Sequence, residues 1–244
     1  MTDATAADLL AADEATWPAA AVIRTGPWSI RKGMGGGRRV SSARLEGALR
    51  PDDIARAADA MTALGQAPIF LVPDDDSELD AALAAAGYAA TAATDFMAVD
   101  CAPIAVPTPR LTAFSVFPPL QVQRDIWAAG GVGAARLAIM DRAVEPKTTL
   151  LGRTDDRPAG TVFVAVHRGI GMVHALEVLP AHRRRGTARH LLRAAARWCR
   201  DRECRTMGLA VLCENAAARA VYAALGFRRV GGYHYRSKDG THDA

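Results

Sequence analysis

The segment LEVLPAHRRRGTARHLL, residues 176–192, holds the most chemically suggestive spacing in the chain. Pro180 ends a strand-like run, and a basic turn of Arg183, Arg184, Arg185 and Gly186 leads into an amphipathic helix. Ala188, Leu191, Leu192, Ala195 and Cys199 recur at three- to four-residue intervals and form its buried stripe. The backbone N–H groups of residues 184–188 therefore leave the helix N-terminus unpaired, at the positive end of its dipole. An anion there gains roughly 0.3–1 kcal/mol per favourable charge. Gly186 and the small Ala188 let a phosphate approach the backbone closely. Three arginines at a helix N-terminus oppose the dipole unless an anion lies among them. The pattern predicts a site for a phosphate-bearing ligand.

The elements around this turn alternate. Upstream, helix-like QVQRDIWAAG precedes three strand candidates, KTTLLGRT, GTVFVAVHRG and GIGMVHALEVLP. Downstream come the helix TARHLLRAAARWCRD, the strand TMGLAVLC, the helix AAARAVYAALG and the strand FRRVGGYHYR. Before the stretch CAPIAVPTPR, which reads as a linker punctuated by Pro103, Pro107 and Pro109, lies a first half of similar order. It opens with an Ala-rich helical pattern at residues 3–15. The strands VIRTG, WSIRKG and RRVSSARLE follow, the last two flanking the turn MGGG. Pro51-Asp52-Asp53 opens the helix IARAADAMTALG, with Gly65 as its C-terminal cap. The strand PIFLVP and a helix capped by Ser77 complete that half. The expected class is α/β, with a mixed, mostly antiparallel sheet flanked by helices in two tandem lobes, residues 1–106 and 107–244.

Composition bounds the function. With 244 residues, 50% hydrophobic and 23% charged, the chain is long enough for a large core and is no disordered tail or disulfide mini-protein. Its net charge of +4 is too small to argue for nucleic acid by itself. Residues 182–205 nevertheless hold nine Arg against Asp201 and Glu203, so the basicity is one local arc. That arc has a single aromatic, Trp198, rather than a stacking series, which points away from nucleic acid. Cys101, Cys199, Cys204 and Cys213 form no C-x-x-C pair and suggest reduced thiols and no metal. The acidic N-terminus has the wrong polarity for a secretory signal, and no apolar run reaches membrane-spanning length. A cytoplasmic protein is expected.

Arg183, Gly186 and Ala188 fit [RQ]-x-x-G-x-[GA], motif A of the GNAT superfamily of acyl-CoA-dependent N-acyltransferases, which this segment resembles. Further on, Asn215, Ala218, Tyr222, Gly226 and Phe227 match that family's N-x-x-A-x-x-x-Y-x-x-x-G-F element. The resemblance covers residues 160–235. It implies acetyl-CoA as the cofactor. The backbone of Leu176, Glu177 and Val178 would pair with its pantetheine arm. Arg184, Arg185, Gly186, Thr187, Ala188 and Arg189 would cradle its pyrophosphate with Arg183, and Asn215 would contact the arm.

The implied reaction moves an acetyl group directly to a primary amine, of a small molecule or a peptide, within a ternary complex. The amine must be neutral, although a free alkyl amine near pKa ~10 is mostly charged. Tyr222 matches the family's general acid for the departing thiolate. The string HALEV resembles the H-A-L-x-V strand of arylalkylamine N-acetyltransferases, which makes His174 a candidate base, with Glu177 as the other. Strict alternation would put His174 and Leu176 on one face and Glu177 on the opposite one. The first half lacks both motifs and resembles the degenerate lobe of two-lobed relatives. Trp28, Arg38 and Arg39 are its candidate acceptor contacts. YHYR at residues 233–236 either lines the cleft or forms a homodimer seam. A non-catalytic acyl-CoA-binding protein is the alternative.

Overall fold

The computed structural model describes residues 3–238. In the first half, α1 (Ala6–Thr16) precedes β1 (Ala21–Thr25), β2 (Trp28–Lys32), β3 (Ala43–Leu45), α2 (Asp53–Ala63), β4 (Ile69–Pro73), α3 (Ser77–Ala85) and β5 (Ala89–Asp100). The stretch expected as a linker begins with a helical turn, α4 (Cys101–Ile104), whose Cys101 and Ile104 are buried. The second half runs β6 (Ala113–Val116), α5 (Gln121–Ala129), α6 (Ala134–Arg142), β7 (Lys147–Thr154), β8 (Arg157–His167) and β9 (Ile170–Val178). It ends with α7 (Thr187–Arg200), β10 (Thr206–Leu212), α8 (Ala216–Ala224) and β11 (Arg228–Ser237).

All the strands join one sheet in the order β1-β2-β3-β4-β11-β5-β10-β9-β8-β7-β6. Only β3 with β4 and β9 with β10 run parallel, so the sheet is mixed and mostly antiparallel, as expected. The last strands of the two halves are exchanged: β11 pairs with β4, and β5 pairs with β10. Hydrogen bonding is thus continuous across the division expected at residues 106/107. The sequence reading marks no strand at residues 89–100, because their Ala-rich run carries helix propensity. Pairing with β10 on one side and β11 on the other overrides that propensity. Ser77 was expected to cap α3, but the cap is Asp76, whose side chain accepts Leu79 N–H at 3.0 Å.

Alternate residues of β8 divide the second half's core. Val162, Val164 and Val166 face α7, while Phe163 and Ala165 face Trp17 and Trp127 on the other side. The helix α1 packs across β8, β9 and β10, so the first half supplies part of the cover for the second. It starts with a capping box between Thr5 and Asp8. On the opposite face α7 buries Leu191, Leu192, Ala195, Ala196 and Cys199, each completely. Each buried leucine contributes roughly 1.5–3 kcal/mol. Their close approach depends on a bare backbone at Gly171, where an added Cβ would collide with Cys199 Sγ. We predict that Gly171→Ala lowers stability by about 1–3 kcal/mol through overpacking. Adding Cys199→Ala should recover much of the loss in thermal melts, whereas simple additivity of the two would contradict this contact.

Candidate functional site

The site is built where two parallel strands part. β9 and β10 pair from Ile170↔Thr206 to Val173↔Leu209 and then separate, although β9 continues to Val178 and β10 to Leu212. Each keeps its other neighbour: β8 holds Glu177 and Val178, and β5 holds Val211 and Leu212. A wedge therefore opens at His174, with the inner edge of β9 free of strand partners. On its outer edge the ladder jumps from Phe163↔His174 to Thr161↔Glu177, and Ala175 adopts φ +49°. This bulge inserts one residue. It corrects the expected alternation: His174 and Glu177 share the face of Phe163 and Thr161, and Leu176 packs on the opposite face with the α7 core. The indole of Trp127 donates to the Ala175 carbonyl at 2.7 Å and fixes the bulge.

The start of α7 stands at the mouth of the wedge. Gly186 (φ +85°) and Arg184 (φ +64°) are left-handed and turn the chain into the helix, which has no side-chain cap. Among the described residues, the backbone N–H groups of 184–189 have no acceptor, while the N–H of His190 is the first to bond, to Gly186 O at 3.0 Å. Six successive free donors at a helix N-terminus form an anion cradle. Thr187 beneath it is buried and anchored to Thr154 Oγ1 at 2.8 Å, and Ala188 is half-buried. Arg184, Arg185 and Arg189 are exposed, with Arg185 paired to Asp155. Arg183 turns back instead, donating from Nε to Val178 O at 3.1 Å and lying 3.4 Å from Glu177. It thereby ties the tip of β9 to the cradle.

Tyr222 of α8 lies on the Leu176 side of the wedge, 8% exposed and beside Phe227. Burial pushes its phenol up to about 12, so it stays protonated near neutral pH. Its hydroxyl has no protein partner among the described residues and is available as a donor. Asn215, exposed at the head of α8, caps the helix by accepting Ala218 N–H through Oδ1 at 3.0 Å. Its side-chain amide N–H groups remain free.

Across the sheet, the Glu177 carboxylate is 21% exposed and fills the space beside Gly130, where an added Cβ would lie 2.5 Å from its Cδ. His174 is sealed. Its ring stacks on Trp17 at 5.0 Å, Nε2 meets Thr16 Oγ1 at 2.8 Å, and Nδ1 meets Arg39 Nη1 at 3.1 Å. Thr16 itself donates to Ala12 O at 2.6 Å, and Arg39 is always a donor. The imidazole must therefore carry its proton on Nε2 and accept at Nδ1. Burial and then the Arg39 charge hold its pKa well below the ordinary histidine value. The wedge thus receives Glu177 and Tyr222 directly, and His174 only through its backbone.

Of the first-half residues expected near an acceptor, Trp28 is fully buried against Phe70, because β2 turns it into the first half's core. Arg39 reaches the His174 ring, on the Glu177 face of β9. Tyr233 and Tyr235 are core residues, and His234 and Arg236 both bond to Asp80 at 2.6 Å. The four side chains of YHYR are thus engaged within the chain, two in the core and two with Asp80.

Residues 119–227 match the Acetyltransferase (GNAT) family. Over 75 residues the chain is 32% identical to an uncharacterized N-acetyltransferase of Bacillus subtilis, covering 31% of this chain and 30% of that protein. Over 69 residues it is 33% identical to an aminoglycoside N(6')-acetyltransferase type 1 of Acinetobacter haemolyticus, covering 28% and 48%. The matched stretches therefore span less than half of either curated relative. A GCN5-related N-acetyltransferase from Kribbella flavida superposes with TM-score 0.74 at 17% identity, over 99% of this chain and 98% of that one. A tandem GNAT protein from the clavulanic acid biosynthesis pathway superposes with TM-score 0.60 at 18% identity, over 90% and 82%. No helix among the described residues is long and apolar enough to cross a membrane.

The sealed histidine sets a pH dependence. It stays neutral when folded but takes up a proton when unfolded below about pH 6.5. Acidification below that value therefore favours unfolding, by up to about 1.4 kcal/mol per pH unit. Melts between pH 7 and 5 should show a shallower loss for His174→Gln than for the parent chain. Equal slopes would contradict the burial described.

Proposed function

We propose that this chain, whose fold is the two-lobed GNAT acetyltransferase fold, is an acetyl-CoA-dependent N-acetyltransferase that acts on a primary amine of a small molecule or peptide. The observation that carries the reading is the run of free N–H groups at 184–189 beside the unpaired inner edge of β9. Acetyl-CoA, when bound, supplies the thioester whose acyl group is transferred. The backbone of Leu176, Glu177 and Val178 would bind the pantetheine arm as an added strand. The 184–189 cradle and the outward arginines would hold the pyrophosphate, and the free amide of Asn215 would meet the arm. Residues 107–244 form the catalytic lobe in this reading, and residues 1–106 the degenerate one. A cytoplasmic location completes it.

The two faces of the wedge divide the proton work. Glu177, the partly exposed carboxylate on the α5 side, accepts the amine's proton directly or through a water. Tyr222, on the α7 side, gives its proton to the departing thiolate. A phenol pushed up to about 12 stays neutral and protonated near pH 7, so it is in the form that can donate to the sulfur as charge develops there. His174 acts as a positioning residue in place of the base expected from the sequence, since both its nitrogens are engaged. A free backbone N–H near Val178 donates to the carbonyl oxygen on which charge develops.

Free-thiol release from acetyl-CoA with a panel of amines tests the reading. Tyr222→Phe should lower turnover by about 100-fold, while its affinity for acetyl-CoA, measured by calorimetry, stays within about twofold of the parent. Parent-like turnover across the pH range would remove Tyr222 from the acid role. Tight cofactor binding without release with any amine would favour the non-catalytic alternative.

A further inference from the structure

We propose that the acceptor carries a carboxylate beside its reactive amine and that Arg39 binds that carboxylate. The inference rests on the acetyl-transfer reading above and adds the chemical class of the acceptor.

Arg39 comes from the connection between β2 and β3, yet its guanidinium lies against β9 where the wedge opens. One nitrogen is fully used: Nη1 donates to Asp13 Oδ1 and to His174 Nδ1, each at 3.1 Å. The plane is steadied over the Trp17 ring, 5.5 Å from its centroid. The hydrogen bonds of Arg39 among the described residues all leave from Nη1, so Nε and Nη2 are open, and the side chain is 29% exposed. That edge is the parallel pair of donors that meets a carboxylate in bidentate fashion. An arginine serving only to join α1 to β9 has no need to keep this edge open.

The surrounding charge leaves room for one anion. Arg39 pairs with Asp13, and nearby Arg24, Arg31 and Arg44 are linked with Glu14 and Glu46, so arginines outnumber carboxylates by one in this neighbourhood. Asp13 is 2% exposed, so the open part of its pair with Arg39 is the guanidinium. The opposite pole is Glu177. Because of the bulge it shares a face with His174, two ladder positions further along, or about 7 Å of strand. An acceptor lying along this face turns its carboxylate to Arg39 and its amine to Glu177 and the wedge.

Paired acceptors provide the test: amino acids against their carboxamides and decarboxylated amines, with an aminoglycoside as a further amine lacking carboxylate. At saturating acetyl-CoA, thiol release should give the carboxylate-bearing member a kcat/KM at least tenfold higher. Arg39→Gln should bring that ratio near one, and Arg39→Lys should restore part of it. Equal rates for both members in the parent chain would overturn the proposal, as would transfer only to amines without a carboxylate or no transfer to any amino acid. An Arg39→Gln chain that loses both members equally would make Arg39 purely structural and overturn it too. If that variant does not fold, inhibition of the parent by amino acids but not by carboxamides stands in for it, and equal inhibition overturns the proposal. Calorimetry with CoA keeps the parent reading separate: absent CoA binding would remove acetyl transfer itself.

Discussion

Two parallel strands that stop pairing set the terms for everything else in this molecule. Beyond Val173 and Leu209 neither β9 nor β10 has the other to bond to, and each stays in the sheet through its remaining neighbour. Backbone groups on the inner edge of β9 are thereby available to an extended ligand. The bulge at Ala175 then turns Glu177 toward the α5 face while leaving Leu176 on the α7 face. The chain leaving β9 reaches α7 within nine residues, which brings the helix N-terminus and its free donors to the same opening. A strand edge and an anion cradle set this close suit a ligand that is extended at one end and phosphorylated at the other.

The halves support each other through exchange rather than simple contact. β5 and β11 lie side by side at the centre of the sheet, each next to strands of the other half. The helix α1 crosses the second half's strands and delivers Asp13, Thr16 and Trp17 to His174. Burying this polar group is tolerable because every donor and acceptor is matched in one sense only, with Arg39 giving, His174 passing on and Ala12 O receiving. The first half thus helps shape the Glu177 face of the wedge without an arginine-turn motif of its own.

Much of the α7 side of the wedge is legible in the sequence, because its signals are local. The arginine turn, Gly186, the periodic stripe of α7 and the Asn215–Tyr222 spacing each need only a few residues to be seen. The antiparallel bias and the tandem arrangement follow from the order of elements. The α5 side is less legible. A period of two assigns strand faces, and the extra residue at Ala175 breaks that count with no composition to announce it. His174 looks reactive in isolation, but its partners Thr16 and Arg39 lie 158 and 135 residues away. The strand β5 hides among alanines whose conformation is chosen by neighbours on both sides. Arg39 was visible as a candidate, whereas its open edge belongs to the folded geometry alone.

Hydrogen–deuterium exchange with and without acetyl-CoA measures the central claim most directly. Protection should appear in peptides covering residues 176–178 and 184–189, where the ligand would engage free backbone groups, and should be slight in the first half's β1 and α2. Unchanged exchange at both segments under saturating acetyl-CoA, or protection confined to the first half, would contradict the account.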